Sequence, residues 1–422
     1  MKKTALICFA ILTALLAASC RKDFYNPALA NEITKATFHN DTVDERHTWS
    51  LLRDGTITVK ANVANVSRID LLTENPYTSP QSVVVATSPA REDEEVELTY
   101  SVPLITETFW ADAVTTSGTH TVTPLYPGQQ TADFSHPYDS QGQTPYDTDY
   151  QSVLYCFCNT FPLPSASWDF NDCVLRLSKR MLNDSTLRLT VTLEALGSMM
   201  KTAAAIRLQE VGYEEVASIT TLSNRSFVRD ESIERSFIVD SNTLLRGKDG
   251  SAVINLFDDG HLAFYTRMDP TGLYYRYYYN VSHSASSTSG QYRTFATPTV
   301  TYDIKFKQPG IARTLTYSAM DPFIVCNNNG ILVEIHKYRY KYDQVLMDYM
   351  NNPLDFKNCF SWALEIPFAD FRYPLEGYSM GSKKGNGLAG CYSQPYHSFG
   401  EWASDRNTAQ DWYLYPPTSG VY

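Results

Sequence analysis

The side chains best placed for chemistry lie in Trp168-Asp169-Phe170-Asn171-Asp172, where three oxygen-bearing groups fall within four residues just ahead of the apolar Val174-Leu175. Two carboxylates and an amide oxygen at the edge of a strand can converge on a hard cation such as calcium. The same side chains can instead cap backbone amides as an Asx turn, which is the reading the sequence favours. Asp169, Asn171 and Asp172 are therefore candidate metal ligands whose plainer role is a turn. Glu334 and His336, two apart on an expected strand, share a face and could form a metal or acid/base pair. With no third partner in view they read as a polar surface pair. Gly377-Tyr378-Ser379-Met380-Gly381 matches GxSxG, the elbow that exposes a nucleophilic serine between a strand and a helix. The residues after it, Ser382-Lys383-Lys384-Gly385-Asn386-Gly387, read as a loop, and no acid lies between Ser379 and His397. The match is taken as a coincidence, and no catalytic residue is assigned. Tyr274, Tyr275, Tyr277, Tyr278 and Tyr279 could stack on a sugar, but strand aromatics of a β-sandwich belong by default to its core.

The elements that must carry these groups are mainly strands. Ile57, Val59, Ala61 and Val63 alternate with polar residues after the turn signal Asp54-Gly55. Leu187, Leu189, Val191 and Leu193 repeat the two-residue period, as do Val300, Tyr302, Ile304 and Phe306. Ser82 to Thr87 and Val96 to Val102 are further candidates, punctuated by Pro76, Pro80, Pro89 and Pro103. Helical spacing is confined to Asp343 to Met350 and His397 to Ala403. The expected fold is mostly β: a small β-sandwich over 36–126 and a larger, jelly-roll-like β-sandwich over 151–422 with few short helices. Residues 127–150, rich in Gly, Pro, Gln, Ser and Asp and without Lys or Arg, read as a linker or long loop. The 422 residues are 43% hydrophobic and 19% charged, enough to bury a core. Thirty-five basic against 46 acidic residues give a net charge of -11 with no basic block, which argues against nucleic acid as a partner.

Residues 1–19 read as a signal peptide: Lys2 and Lys3, an apolar run from Ala5 to Leu16, then Ala17-Ala18-Ser19 before Cys20. Small residues directly ahead of a cysteine are similar to a bacterial lipobox, with Ala17 where Leu is usual. Cys20 is thus the expected lipidation site, 20–35 a tether, and the mature charge about -13. Several acyl chains on one cysteine give stable anchoring. Loss of Cys8 and modification of Cys20 leave Cys156, Cys158, Cys173, Cys326, Cys359 and Cys391, too few for a disulfide scaffold and open to either disulfides or buried thiols. No paired CxxC set suggests zinc.

Asp169-Phe170-Asn171-Asp172 also resembles the DFND signature of the LruC domain, found in Gram-negative outer-membrane lipoproteins of largely unknown function. Further segments agree in order: Val253 to Asp259, Asp321-Pro322-Phe323-Ile324, Glu334-Ile335-His336, then Pro367, Phe371, Tyr373-Pro374, Glu376-Gly377, Tyr396, Phe399, Trp402-Ala403 and Asp411-Trp412-Tyr413. Asp44, His47 and Trp49 resemble the opening of the small domain that precedes LruC. Members of that family often carry extra acids before DFND, which make a calcium site plausible there. This chain has Asn159, Thr160 and Ser167 at those places, so the resemblance implies weak calcium binding or none. Ser382 to Ser393 looks like an insertion.

The expected protein is lipid-anchored at the outer membrane, with its membrane face undecided, and acts in binding, adhesion or envelope structure toward a glycan or surface-protein ligand. The alternative is a carbohydrate-active or other hydrolytic enzyme using paired carboxylates across a cleft.

Overall fold

The computed structural model describes Asp44 and residues 46–158, 169–222, 242–264, 277–282, 292–328, 331–337, 363–380 and 390–422. The signal segment, Cys20, the tether, Asn159, Thr160, Ser167, Tyr274, Tyr275, the Asp343 to Met350 stretch and Cys359 lie outside the described residues.

Alternation of apolar and polar residues places eight strands before residue 151: β1 Leu52–Lys60, β2 Val66–Leu72, β3 Val83–Pro89, β4 Glu95–Pro103, β5 Phe109–Thr115, β6 His120–Leu125, β7 Thr131–Asp133 and β8 Asp149–Tyr150. They form a three-stranded sheet in the order β4-β1-β7 and a five-stranded sheet in the order β6-β5-β2-β3-β8. Ile57, Val59, Ile69, Leu71, Leu98, Tyr100 and Phe109 fill the space between them. Two short strands, β7 and β8, fall in the stretch expected to be loop, each adding in parallel to an existing sheet edge.

One residue after β8 the second sandwich starts. Its strands are β9 Ser152–Phe157, β10 Cys173–Asn183, β11 Thr186–Ala195, β12 Thr202–Gly212, β13 Val216–Thr221, β14 Leu244–Arg246, β15 Ser251–Phe257, β16 Tyr278–Tyr279, β17 Tyr292–Arg293, β18 Thr299–Phe306, β19 Met320–Asn328, β20 Ile331–His336 and β21 Ala363–Ile366. A six-stranded sheet, β13-β18-β11-β10-β9-β21, faces a five-stranded sheet, β14-β15-β12-β19-β20. The fold is therefore the mostly β sandwich architecture that the periodicity predicts. In β11 the four alternating apolar residues are fully buried, while Arg188, Thr190 and Thr192 look outward and pair with Asp303, Thr301 and Thr299 of β18. That division is what a two-residue period on a half-solvated sheet requires.

The outer face of β9, β10 and β21 is covered too. Trp49, Phe399, Trp402, Trp412, Tyr392 and Phe371 form an aromatic layer over Leu154, Cys156, Val174, Leu364 and Ile366. The helices among the described residues are short: α1 Gly260–Phe264, α2 Ile311–Thr314 and α3 Phe399–Ser404. The last is the helix expected near His397 to Ala403. Ser398 caps it, accepting from the Glu401 amide at 3.1 Å while the Glu401 carboxylate accepts from the Ser398 amide at 3.0 Å. The cap aims Trp402, fully buried, into the aromatic layer. Cys156, Cys158, Cys173, Cys326 and Cys391 are buried free thiols, which closes the disulfide alternative for these five. No helix among the described residues is long and apolar enough to cross a membrane.

Candidate functional site

The Asp169 to Asp172 turn leads directly into β10, whose first residue, Cys173, pairs with Phe157 of β9. All four side chains of the turn are buried. Phe170 holds φ at 51°, the left-handed region that non-glycine residues seldom adopt, at a cost on the order of 1 kcal/mol. Burial offsets that cost, because the Phe170 ring is fully enclosed in the aromatic layer and lies 6.4 Å from that of Phe399. The strained residue points Phe170 into that layer.

Asn171 acts as a latch. Its Nδ2 donates to the Pro374 carbonyl at 3.0 Å, and its own carbonyl accepts from the Gly197 amide at 2.9 Å. Its Oδ1 rests where a side chain on residue 197 would begin, so the position admits only glycine without displacing Asn171. Glu376, two residues beyond Pro374, is thereby drawn toward the turn, and its amide donates to the Val281 carbonyl at 3.1 Å.

The result is an interior acidic centre. Ligand-type atoms of Cys158, Asp169 and Asp172 all lie within 4.8 Å of one another. Burial pushes the Glu376 carboxyl upward, and the charge of Asp172 adds to the shift. Burial, with Glu376, Tyr292, Asp172 and Asp169 nearby, raises the Tyr278 phenol to about 12. The Cys391 thiol is raised to about 12 by burial with Asp169 beside it. At neutral pH the centre thus keeps a phenol and a thiol protonated and favours a protonated Glu376 against Asp172.

Of the three ligands expected from sequence, the fold brings Asp169 and Asp172 together, while Asn171 commits its Nδ2 to the Pro374 carbonyl and turns its Oδ1 toward Gly197. Cys158 joins them instead. A thiol with two carboxylates is a soft and oxygen-poor set, whereas calcium takes about six to eight oxygens. The thiol is the member of the set that disfavours calcium. Sequence reasoning missed Cys158 and Glu376. Cys158 stands in the sequence only as one of six cysteines with no paired spacing, and Glu376 lies 204 positions beyond Asp172 with no spacing to connect them.

The other candidates fall elsewhere. Glu334 and His336 are not a surface pair: both are buried, and Asp321 supplies the third partner that the sequence concealed. His336 Nδ1 lies 2.8 Å from Asp321 and Nε2 lies 3.1 Å from Glu334, with the Phe323 ring stacked at 4.6 Å. Burial alone would depress the imidazole, but the two carboxylates outweigh it and raise the pKa to about 10. Both ring nitrogens are engaged, so the group serves as an ion-paired knot in the five-stranded sheet. Ser379 of the GxSxG sequence is 1% exposed, and its carbonyl accepts from the Cys391 amide at 2.7 Å. Tyr279 is fully buried and stacks on Phe264 at 4.8 Å, while Tyr278 stacks on Tyr292 at 5.1 Å, as core and core-edge residues do.

Residues 185–413 match the family model described as a domain of unknown function, DUF4842. The chain belongs to the DUF4842 family. The match includes Glu376 and the His336 knot and begins after the Asp169 to Asp172 turn, so the acidic centre joins the family region to the strand that precedes it. The DUF4842 chain is also similar in fold to a solved candidate lipoprotein from Bacteroides ovatus, at 15% identity and a TM-score of 0.51 over 85% of this chain and 99% of that one. No curated protein matches the sequence.

Proposed function

We propose that the protein is a lipid-anchored outer-membrane protein of the LruC type, held by Cys20, and that its paired sandwiches act in binding, adhesion or envelope architecture. The observation that carries the reading is a convergence. Segments that resemble the LruC-type lipoproteins, far apart in the chain, meet at one layer. His47 Nε2 lies 3.0 Å from the Trp402 carbonyl, the Asp44 amide donates to the Ala403 carbonyl at 3.0 Å, and the Trp49 and Trp402 rings are 5.8 Å apart. Asn171 of the DFND sequence reaches Pro374 in the same way. The likeness to a candidate lipoprotein over nearly all of that protein's length supports the anchor, as does Ala17-Ala18-Ser19-Cys20 at the end of the apolar run.

The carboxylates that the fold does pair favour a structural over a hydrolytic role. Asp169 and Asp172 are at most 5% exposed, and Asp70 and Asp112, side by side on β2 and β5, are at most 3% exposed. A glycosidase needs its two carboxylates on either side of an open cleft, about 5 to 10 Å apart. The test is fractionation of cells expressing Cys20→Ala. The variant should leave the membrane fraction, and retention there would overturn the anchor. Binding is tested with the full chain on a glycan and surface-protein array, where selective retention is expected. Release of cleaved sugar from any glycan would instead establish the hydrolytic alternative.

A further inference from the structure

The two sheets of the second sandwich are bridged at one edge by a lysine and a glutamate that water does not reach. Lys337 follows β20, the end strand of the five-stranded sheet, and Glu365 lies on β21, the end strand of the six-stranded sheet. The period of β21 turns Glu365 to the side of Ala363, the core between the sheets, while Leu364 and Ile366 face the aromatic layer. Lys337 is 1% exposed and Glu365 is fully buried, with Nζ 2.5 Å from Oε1. Both backbones are held in place. The Glu365 amide donates to the Trp49 carbonyl at 3.1 Å, its carbonyl accepts from the Leu51 amide at 3.0 Å, and the Lys337 amide donates to Asp321 at 3.3 Å.

The contacts around the pair aim one group at the other. A lysine ammonium has three donors. Lys337 Nζ donates to the carbonyls of Tyr317 at 2.9 Å and Met320 at 3.2 Å, so the third proton, and the lone pair left once that proton moves, point to Glu365. Tyr155, the register partner of Glu365 on β9, donates its hydroxyl to Oε1 at 2.9 Å and sets its ring centre 5.6 Å from Nζ. Among the described residues the buried Oε2 has no hydrogen-bond partner. As an ion pair the site leaves a carboxylate oxygen stranded in a dry interior, which is costly. As an amide it loses that oxygen and both charges, and the oxygen that remains keeps Tyr155.

We propose that Lys337 and Glu365 condense into an isopeptide bond between Nζ and Cδ, a covalent staple across the sandwich. Nζ gives one proton to the carboxylate, the neutral amine attacks Cδ, and Tyr155 donates to the oxyanion that forms on Oε1. Nζ then gives up a second proton, the Cδ–Oε2 bond breaks, and Oε2 departs as water with both protons. One N–C bond forms, one C–O bond breaks, and nothing is oxidised or reduced. The staple joins residues 28 positions apart and constrains the unfolded chain as a disulfide does, in a protein whose five described cysteines are free thiols.

Mass spectrometry of the natural full chain, reduced, denatured and digested with trypsin, tests the bond without any variant. An acylated lysine resists trypsin, so residues 314–339 should appear joined to 358–372, lighter by one water than the two peptides summed. Fragmentation should place the link on Lys337 and Glu365. Lys337→Arg keeps a cation beside Glu365 but removes the amine, and should release 358–372 unlinked. Tyr155→Phe should link about a hundredfold more slowly in a pulse-chase, because the oxyanion loses its donor. Cleavage after Lys337 with 358–372 free throughout the natural chain, a link mapped to other residues, or an undiminished rate in Tyr155→Phe would each overturn the proposal.

Discussion

Replacing Gly197 by Ala attacks the latch that builds the acidic centre. A Cβ on residue 197 would lie 2.9 Å from both the Asn171 Cγ and the Asn171 carbonyl oxygen, and closer still to Oδ1. One of these atoms is backbone and cannot swing aside, so the turn must shift by several tenths of an ångström. That shift stretches two hydrogen bonds, from Asn171 Nδ2 to Pro374 and from the Gly197 amide to Asn171, each worth about 1 kcal/mol. Overpacking adds about 1 to 3 kcal/mol, and the narrower unfolded ensemble of Ala returns about 0.4 to 1 kcal/mol. The net loss is about 2 to 4 kcal/mol. Urea unfolding of the full chain in detergent reports it through the fluorescence of Trp402 and Trp412, which lie in the aromatic layer that Phe170 enters. With an m-value of about 2 to 3 kcal/mol/M the midpoint should fall on the order of 1 M. Asn171→Ala removes two of the three clashing atoms, so Gly197→Ala should cost markedly less in that background than in the natural chain. A Gly197→Ala midpoint within error of the natural one, or strict additivity in the double variant, would refute the steric account.

The His336 knot makes stability fall in alkali. The folded pKa of about 10 exceeds the ordinary value of 6.5, so the folded state holds the proton longer. The contribution is complete below about pH 6.5 and is lost as pH rises toward 10, a trend that urea midpoints at pH 7, 8.5 and 10 should follow. His336→Gln, which leaves Asp321 and Glu334 buried without their cation, should destabilise by about 3 to 5 kcal/mol at pH 7. Calcium titrated into the full chain should give little heat by calorimetry, since the Cys158 thiol stands among the ligand atoms of Asp169 and Asp172, and a tight site centred on Asp169 would contradict this. Ser379→Ala should leave esterase activity at background, because the serine is enclosed. Ser398→Ala should lower thermal stability by about 1 kcal/mol through loss of the α3 cap.

Strands were legible wherever one face meets water. In β11 and β18 the alternation of apolar and polar residues records the sheet's two environments, and each strand falls where its period indicates. β1 does so only in part: it runs through Asp54-Gly55, which pair with Ser101 and Tyr100 and make no turn, and it ends at Lys60, before Ala61 and Val63. β15, buried along its whole length, carries no such alternation and was recognisable only as part of a family segment. That Asp169 to Asp172 interrupts the chain just ahead of β10 was equally visible, since a break before a strand is a local event. Its partners were not, because the hydrogen bonds from Asn171 to the Pro374 carbonyl and from the Gly197 amide to Asn171 depend on chain crossings that no local period encodes.

The sequence by itself determined the β class, the helix near Ser398 and the candidate lipid anchor at Cys20, because each depends on neighbouring residues or on a short segment read in isolation. Only the tertiary structure decided which charges meet. It buried Glu334 and His336 and supplied Asp321, fifteen residues before His336, from the antiparallel neighbour β19. It set Cys158 beside Asp169 and Asp172 and enclosed Ser379. The physical reason is that charge and burial act through space over a few ångströms, while the residues concerned are separated by up to hundreds of positions along the chain.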